Sequence, residues 1–122
     1  MENITHLSKI VVEESHLACH VGSGDLPVLA TPMMIALMEN AAMVCAQPLL
    51  VEGQSTVGAQ ISTTHIKPTS LGKTVSAEAT LTKREGRRLY FSIVARDDEG
   101  VIGEAEHLRV IIDKEKFMSR LG

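Results

Sequence analysis

Aromatic side chains are almost missing from this chain of 122 residues: it has no tryptophan, one tyrosine (Tyr90) and two phenylalanines (Phe91 and Phe117). With so few stacking platforms, recognition of single-stranded nucleic acid by base stacking is excluded. Excess positive charge is missing too. The formal net charge is −3, whereas general nucleic-acid binding rests on clustered Lys and Arg. Cysteine is scarce, with only Cys19 and Cys45, too few for a disulfide framework. The opening stretch MENITHLSKI has no apolar signal-peptide core, so two reduced thiols in a cytoplasmic protein are expected. His16, Cys19 and His20 have a spacing that invites a metal, but nothing nearby supplies further ligands, and no metal is expected. No flavin, nicotinamide or P-loop fingerprint is present, which argues against redox and phosphoryl transfer.

Charge itself is absent over one long run. Between Asp25 and Glu52 the only formally charged residue is Glu39, inside LPVLATPMMIALMENAAMVCAQPLLV. The run is long enough to span a membrane, yet Pro27, Pro32, Glu39, Asn40, Gln47 and Pro48 interrupt it and basic flanks are missing, so a buried helix of a non-membrane protein is expected. A carboxylate in an apolar setting is costly unless paired, hydrogen-bonded or protonated. Desolvation favours its neutral form, which suits proton transfer near neutral pH. Glu39 is therefore the first candidate for chemistry.

What is present is an ordinary globular balance, 44% hydrophobic and 22% charged, in a length that fits one domain over residues 1–122. Thr31 reads as a helix N-cap, Pro32 as the first helical position, and Pro48 as a stop after Gln47. Apolar residues fall on every side of that helix, so it must be covered all round. One small sheet covers part of it, and a second subunit is expected to cover the rest.

The remainder reads as strands. Thr74–Leu81 and Arg88–Arg96 alternate apolar and polar residues across a Glu85-Gly86 turn. Thr56–Ile66 is another strand, ended by Lys67-Pro68, and a first strand lies near Ser8–Glu14. In Val101–Ile112 the apolar parity changes, which predicts a bulge near Glu106-His107. A short helix over Asp113–Arg120 closes the chain. The order strand, long helix, four antiparallel strands predicts an α+β hot-dog architecture, an antiparallel sheet wrapped around one long central helix.

Three stretches, VLATPMMIALMENAA, VGAQISTTHIKPTSLG and EGRRLYFSIVARDDEGVIGEAEHLRVII, resemble the fluoroacetyl-CoA thioesterase-like group of hot-dog thioesterases, in one register from about Val28 to Phe117. The resemblance implies hydrolysis of an acyl-CoA-type thioester to acid and thiol, with coenzyme A as part of the substrate and no separate cofactor. It places the catalytic Thr, Glu and His on Thr31, Glu39 and His65, spaced by eight and 26 residues as in the family pattern. It also implies the Gly58 backbone amide as a donor that polarises the thioester carbonyl. Arg87 and Arg88, on the same hairpin as Lys83 and Arg84, are candidates for the coenzyme A phosphates. Met34, with Met33, Met38 and Met43, is a candidate lining for an adaptable acyl pocket. His107 and Arg109 match an H-x-R in the last strand of the family and read as structural, supporting residues. The fluoroacetyl-specific pattern closes its pocket with phenylalanines ahead of the helix. Here that segment is HVGSGDLP, His20–Pro27, with no aromatic residue, so a more open entrance is expected.

The residue chemistry fits these roles. Thioester hydrolysis needs an activated nucleophile, an oxyanion site and a proton for the leaving thiolate. His65 shares strand parity with Val57, Ala59, Ile61 and Thr63 and is expected to face the helix, to pair with Glu39 or to shuttle the proton. Thr31 offers a hydroxyl at the helix start. Eight residues of straight helix span about 12 Å, too far for a direct Thr31–Glu39 hydrogen bond. Either the substrate spans the gap, the helix start curls back, or a partner subunit of a homodimer, possibly a tetramer, contributes one group. The runner-up reading is a non-catalytic module that binds acyl-CoA or another small molecule; a hot-dog dehydratase is a third, disfavoured by missing motif context.

Overall fold

The computed structural model describes residues 4–122. Strand β1 (Thr5–Val11) leads through a single 3-10 turn (Glu14–His16) into a short helix α1 (Ala18–Val21). The central helix α2 (Thr31–Ala46) follows, continued by one 3-10 turn, and then strands β2 (Gln54–Thr63), β3 (Thr74–Glu85), β4 (Arg88–Asp97) and β5 (Gly100–Asp113) and a terminal helix α3 (Lys114–Ser119). The five strands form one antiparallel sheet in the order β1-β3-β4-β5-β2, with β1 and β2 at its edges. The sheet curls around α2, the hot-dog arrangement.

β1 lies upstream of its expected place. Val12 leaves the strand to exchange backbone hydrogen bonds with Gly72 and Lys73, and the Glu13 amide donates to the His16 ring, which turns the chain. α1 is too short to show in the sequence. Gly22 ends it at φ 91°, a left-handed conformation that favours glycine.

α2 starts one residue away from its expected cap. Ala30 is the N-cap, in extended conformation, and Thr31 is already helical. Met34, Leu37, Met38, Ala41, Ala42, Cys45 and Ala46 form the buried stripe, spaced as one face of a helix must be. It packs on Val75, Ala77, Ala79, Leu89, Phe91, Ile93 and Ala95, all fully buried. The alanines on both sides let helix and sheet approach closely, and each large side chain buried there contributes roughly 1.5–3 kcal/mol. The opposite helix face is not covered: Thr31, Pro32, Ala36 and Asn40 are exposed, and Ile35, Glu39 and Met43 are half-buried.

No bulge occurs at Glu106-His107, where the β4–β5 register runs unbroken through Ser92↔Glu106 and Phe91↔His107. The sheet's irregularities lie instead at Gly58/Gln60, Leu81/Lys83 and Ala95/Arg96. In β5 the inward side is Ala105, His107, Arg109 and Ile111 throughout, all buried. The apparent change of parity arises because two polar residues occupy inward positions while Leu108, Val110 and Ile112 face out. The bulge in β2 likewise reverses its parity. Thr56 and Gly58 pair with the inward Ile111 and Arg109, so Val57 lies on the outer side and Ile61 and Thr63 on the inner one.

Cys45 is buried and Cys19 exposed, and both thiols are free. Among the described residues no helix is long and apolar enough to cross a membrane.

Candidate active site

Two polar clusters lie along the half-open side of α2. The first joins the helix start to the segment after β2. Thr31 Oγ1 is 2.8 Å from His65 Nδ1. Because Ala30 serves as the cap and no side chain caps the helix, the Thr31 hydroxyl is free for this contact. His65 lies two residues beyond the end of β2. Its segment is fastened on both sides: the Thr64 and Ile66 amides donate to the Glu104 and Ile102 carbonyls, at 2.9 and 2.7 Å. Lys67 then pairs with Asp97 at 3.2 Å, and Thr69 donates to the same carboxylate at 3.0 Å.

Burial pushes the His65 imidazole below its ordinary value, a backbone interaction at Lys67 acting less strongly the other way. The ring is therefore neutral near pH 7. Its Nε2 is buried without a hydrogen-bond partner, an atom that ordinarily finds one. A cavity of about 280 Å³ opens beside the pair, lined by Ser23, Leu29, Thr31, His65, Ile66 and Lys67 among others.

The second cluster surrounds Gly58. A Cβ placed there would lie 3.3 Å from Glu39 Oε2, 3.3 Å from His107 Cε1 and 3.5 Å from an Arg109 guanidinium nitrogen, Nη1. Gly58 is not in a left-handed conformation, so what glycine provides here is space for the three side chains rather than a special φ. Glu39 comes from α2, Gly58 from β2, and His107 and Arg109 from β5. Arg109 donates from Nε to Thr56 Oγ1 at 2.9 Å and from Nη2 to the Thr56 carbonyl at 3.1 Å. Its Nη1 donates to His107 Nε2 at 3.2 Å, and His107 Nδ1 donates to the Gln60 carbonyl at 2.7 Å. A guanidinium only donates and a carbonyl only accepts, so His107 is the neutral tautomer with its proton on Nδ1. Burial and, less strongly, Arg109 push this imidazole down, against the Gln60 carbonyl and the Glu39 charge. Burial also lowers the Arg109 guanidinium, and Glu39 opposes that.

The residues expected from the sequence are thus divided. Thr31 and His65 meet, while Glu39 stands with Gly58 in the other cluster. His65 is bonded to Thr31 and not to Glu39. α2 is regular from Thr31 onward, so its start does not curl back to close the gap of about 12 Å between Thr31 and Glu39. Glu39 is half-buried rather than enclosed.

Met34 is fully buried, with Sδ 3.0 Å from where a Cβ on Gly103 would stand. It fills the core instead of lining an open pocket. Arg87 is tied to the Ile111 carbonyl at 3.2 Å and to Asp113 at 3.6 Å, beside a cavity of about 370 Å³ that Lys116, Phe117 and Arg120 also line. Arg88 donates to the Tyr90 hydroxyl at 3.4 Å. Neither arginine hydrogen-bonds to either cluster. The His16 and His20 rings are engaged in local turns, with the Glu13 amide and the Glu14 carbonyl. Among the described residues no group of His, Cys, Asp and Glu is placed to hold a metal.

His107 and Arg109 are the residues of the cluster that the sequence suggests only as structural, supporting residues. The signal was the pair itself: two polar side chains on one parity of a strand whose other inward positions are apolar.

Comparison with known proteins gives one consistent answer. A family model described as FlK, fluoroacetyl-CoA-specific thioesterase, matches residues 12–115. A fluoroacetyl-CoA thioesterase from Streptantibioticus cattleyicolor is 38% identical over 94 residues, covering 77% of this chain and 68% of its own. A solved structure of the fluoroacetyl-CoA thioesterase FlK superposes with a TM-score of 0.91 at 31% identity, covering 99% of this chain and 94% of that one. A Thermus thermophilus protein of the thioesterase superfamily gives the same TM-score at 28% identity, covering 99% and 90%.

Proposed function

Since the chain belongs to the fluoroacetyl-CoA-specific thioesterase family, we propose that it hydrolyses an acyl-coenzyme A-type thioester with Thr31, Glu39 and His65. The observation that carries this reading is the Thr31–His65 hydrogen bond of 2.8 Å beside an open cavity, with the second ring nitrogen buried and unpaired. Glu39 takes a proton from the water that attacks the carbonyl carbon, or attacks it directly to form an anhydride that water then hydrolyses to free the acid and restore Glu39. The Gly58 amide polarises the carbonyl oxygen. The C–S bond breaks, the thiolate leaves with a proton passed through His65, and acid and thiol are the products. Coenzyme A enters as part of the substrate.

The gap between the two clusters gives the assembly a role. The uncovered face of α2, which carries Thr31, Ala36, Glu39 and Asn40, suits a second copy of the chain. In a homodimer the Glu39 cluster of one chain completes the Thr31–His65 pair of the other. A cytoplasmic location agrees with the reduced thiols.

Acyl preference need not follow the family name. His20–Pro27 is exposed throughout and holds no aromatic residue, so we infer a wider acyl range than fluoroacetyl. The test is thiol release from a panel of acyl-CoA thioesters, short, long and aryl, with Glu39→Gln beside wild type. Hydrolysis that disappears in a folded Glu39→Gln protein supports the reading. Unchanged turnover in that variant, or tight binding without turnover across the panel, overturns it.

A further inference from the structure

Asp97 is a buried carboxylate to which the proposed hydrolysis gives no task. It continues the inward parity of Leu89, Phe91, Ile93 and Ala95 along β4, and its side chain is 3% exposed. A carboxylate in such a place is costly unless it is paired and hydrogen-bonded. The Glu99 amide donates to Oδ1 at 2.9 Å, the Thr69 hydroxyl to Oδ2 at 3.0 Å, and Lys67 Nζ to both oxygens at 3.2 Å. Burial alone pushes this carboxyl up, but the three donors together outweigh it and hold the group below the ordinary carboxylate value. The Glu99 amide, two residues on, makes only a local turn. Lys67 and Thr69 come from the connection between β2 and β3, 30 and 28 positions away.

That connection carries one half of the Thr31–His65 pair and grips the other. Lys67 is two residues beyond His65, and the His65 ring interacts with the Lys67 backbone. Thr69 is 2% exposed. While its hydroxyl reaches Asp97, its carbonyl accepts the Leu29 amide at 2.8 Å. Leu29 is two residues ahead of Thr31, and its neighbour Val28 is bridged to Ser70. Two arms therefore converge on one carboxylate, through Lys67 to His65 on one side and through Thr69 and Leu29 to Thr31 on the other. The 2.8 Å contact between Thr31 Oγ1 and His65 Nδ1 closes the ring. His65 lies in a segment without regular structure. The Thr64 and Ile66 amides fix that segment against β5, and the arms from Asp97 tie it to the approach of α2.

We propose that Asp97 is a positioning residue for the Thr31–His65 pair: by holding Lys67 and Thr69 together it sets the separation of the hydroxyl and the imidazole. The inference rests on the reading of that pair as part of the reacting site. It accounts for a carboxylate at an inward strand position and for a threonine that is buried with both its hydroxyl and its carbonyl engaged. Glu99, which meets Lys67 at 3.3 Å from a largely exposed side chain, lies outside the ring and serves as a control.

The experiment compares wild type, Asp97→Asn, Thr31→Ala and the double variant by two readouts. The first is kcat and KM on the acyl-CoA thioester that wild type hydrolyses fastest. The second is the ¹⁵N signal of the His65 ring, identified by its loss in His65→Gln. Misplacement by about 1 Å costs on the order of 100-fold, so a smaller shift in Asp97→Asn is expected to lower kcat about tenfold with KM little changed. In the Thr31→Ala background the same substitution should cost nothing further, because the pair it positions is already broken. The Nδ1 signal in Asp97→Asn should move toward its place in Thr31→Ala. Glu99→Gln should change neither readout. A folded Asp97→Asn protein with wild-type kcat, or with the same fold-loss in both backgrounds, or with an unmoved ring signal, overturns the proposal. Thr31→Ala that turns over like wild type overturns the hydrolytic reading of the pair instead, and the ring signal then decides on Asp97. Lys67→Met removes one arm at a partly exposed side chain and carries both readouts if Asp97→Asn does not fold.

Discussion

Glu39 and Gly58 face each other across two elements: the carboxylate of the helix stands 3.3 Å from where a side chain on Gly58 would begin. The glycine is therefore part of how the carboxylate is placed. Gly58→Ala puts a methyl between Glu39, His107 and Arg109, and the carboxylate must give by a few tenths of an ångström. Misplacement of a reacting group by about 1 Å costs on the order of 100-fold in rate, so a smaller displacement is expected to lower kcat by roughly tenfold. Overpacking typically costs 1–3 kcal/mol, and the melting temperature should fall modestly. An alanine variant with wild-type kcat would show that nothing reactive approaches this point.

Thr31 offers a clean separation of structure from chemistry. A true N-cap lost to alanine costs about 1 kcal/mol. Here Ala30 occupies the cap and the Thr31 hydroxyl contacts His65 instead. Thr31→Ala is expected to leave thermal stability nearly unchanged while lowering turnover strongly, and Thr31→Ser, which keeps the hydroxyl, should retain most of it. A large fall in melting temperature with unaltered turnover would return Thr31 to a capping role.

Two imidazoles make stability depend on pH. Burial holds both His65 and His107 below the ordinary value of 6.5 in the folded state. Between the folded and unfolded values the unfolded chain binds more protons, so stability rises with pH in that window. It is fully present above about 6.5 and declines as pH falls below it. Urea midpoints measured from pH 8 down to 5 should stay level and then drop. The drop should be shallower in His107→Gln. Midpoints that do not change over this range would mean that neither ring is held neutral.

How much of this is legible in the sequence depends on which signal carries it. The central helix stands out because its charges are confined to Glu39 and because Pro32 and Pro48 bracket it. β3 and β4 stand out because their faces alternate cleanly. β5 does not, because a periodicity argument assigns polar residues to solvent, and His107 and Arg109 point inward. Their partners, Thr56 and the Gln60 carbonyl, belong to another strand some fifty positions away and leave no local trace. The parity of β2 is hidden for a related reason: one extra residue beside Gly58 reverses it, and a short apolar strand reads equally well in either phase. Glu39 can be singled out from its apolar setting alone, whereas Thr31 and His65 come forward only through the family resemblance. That they fall into two separate clusters follows from the rise of the helix, which eight residues of sequence imply but do not resolve.

That separation leads to a test of the assembly. If each site joins Thr31 and His65 of one chain to Glu39 of the other, neither Thr31→Ala nor Glu39→Gln protein is active alone, since both sites of either homodimer carry the defect. In a mixed dimer the two defects fall in the same site, and the other site receives an intact Thr31 from one chain and an intact Glu39 from the other. Random exchange of equal amounts makes about half the dimers mixed, each with one working site of two, so about a quarter of wild-type activity should return on mixing. Sites contained within single chains behave differently: every site in the mixture then carries one defect, and no activity returns. Thiol release before and after co-refolding of the two variants, with exchange verified by a size tag on one of them, therefore decides whether a second copy is needed for the chemistry or only for covering the helix.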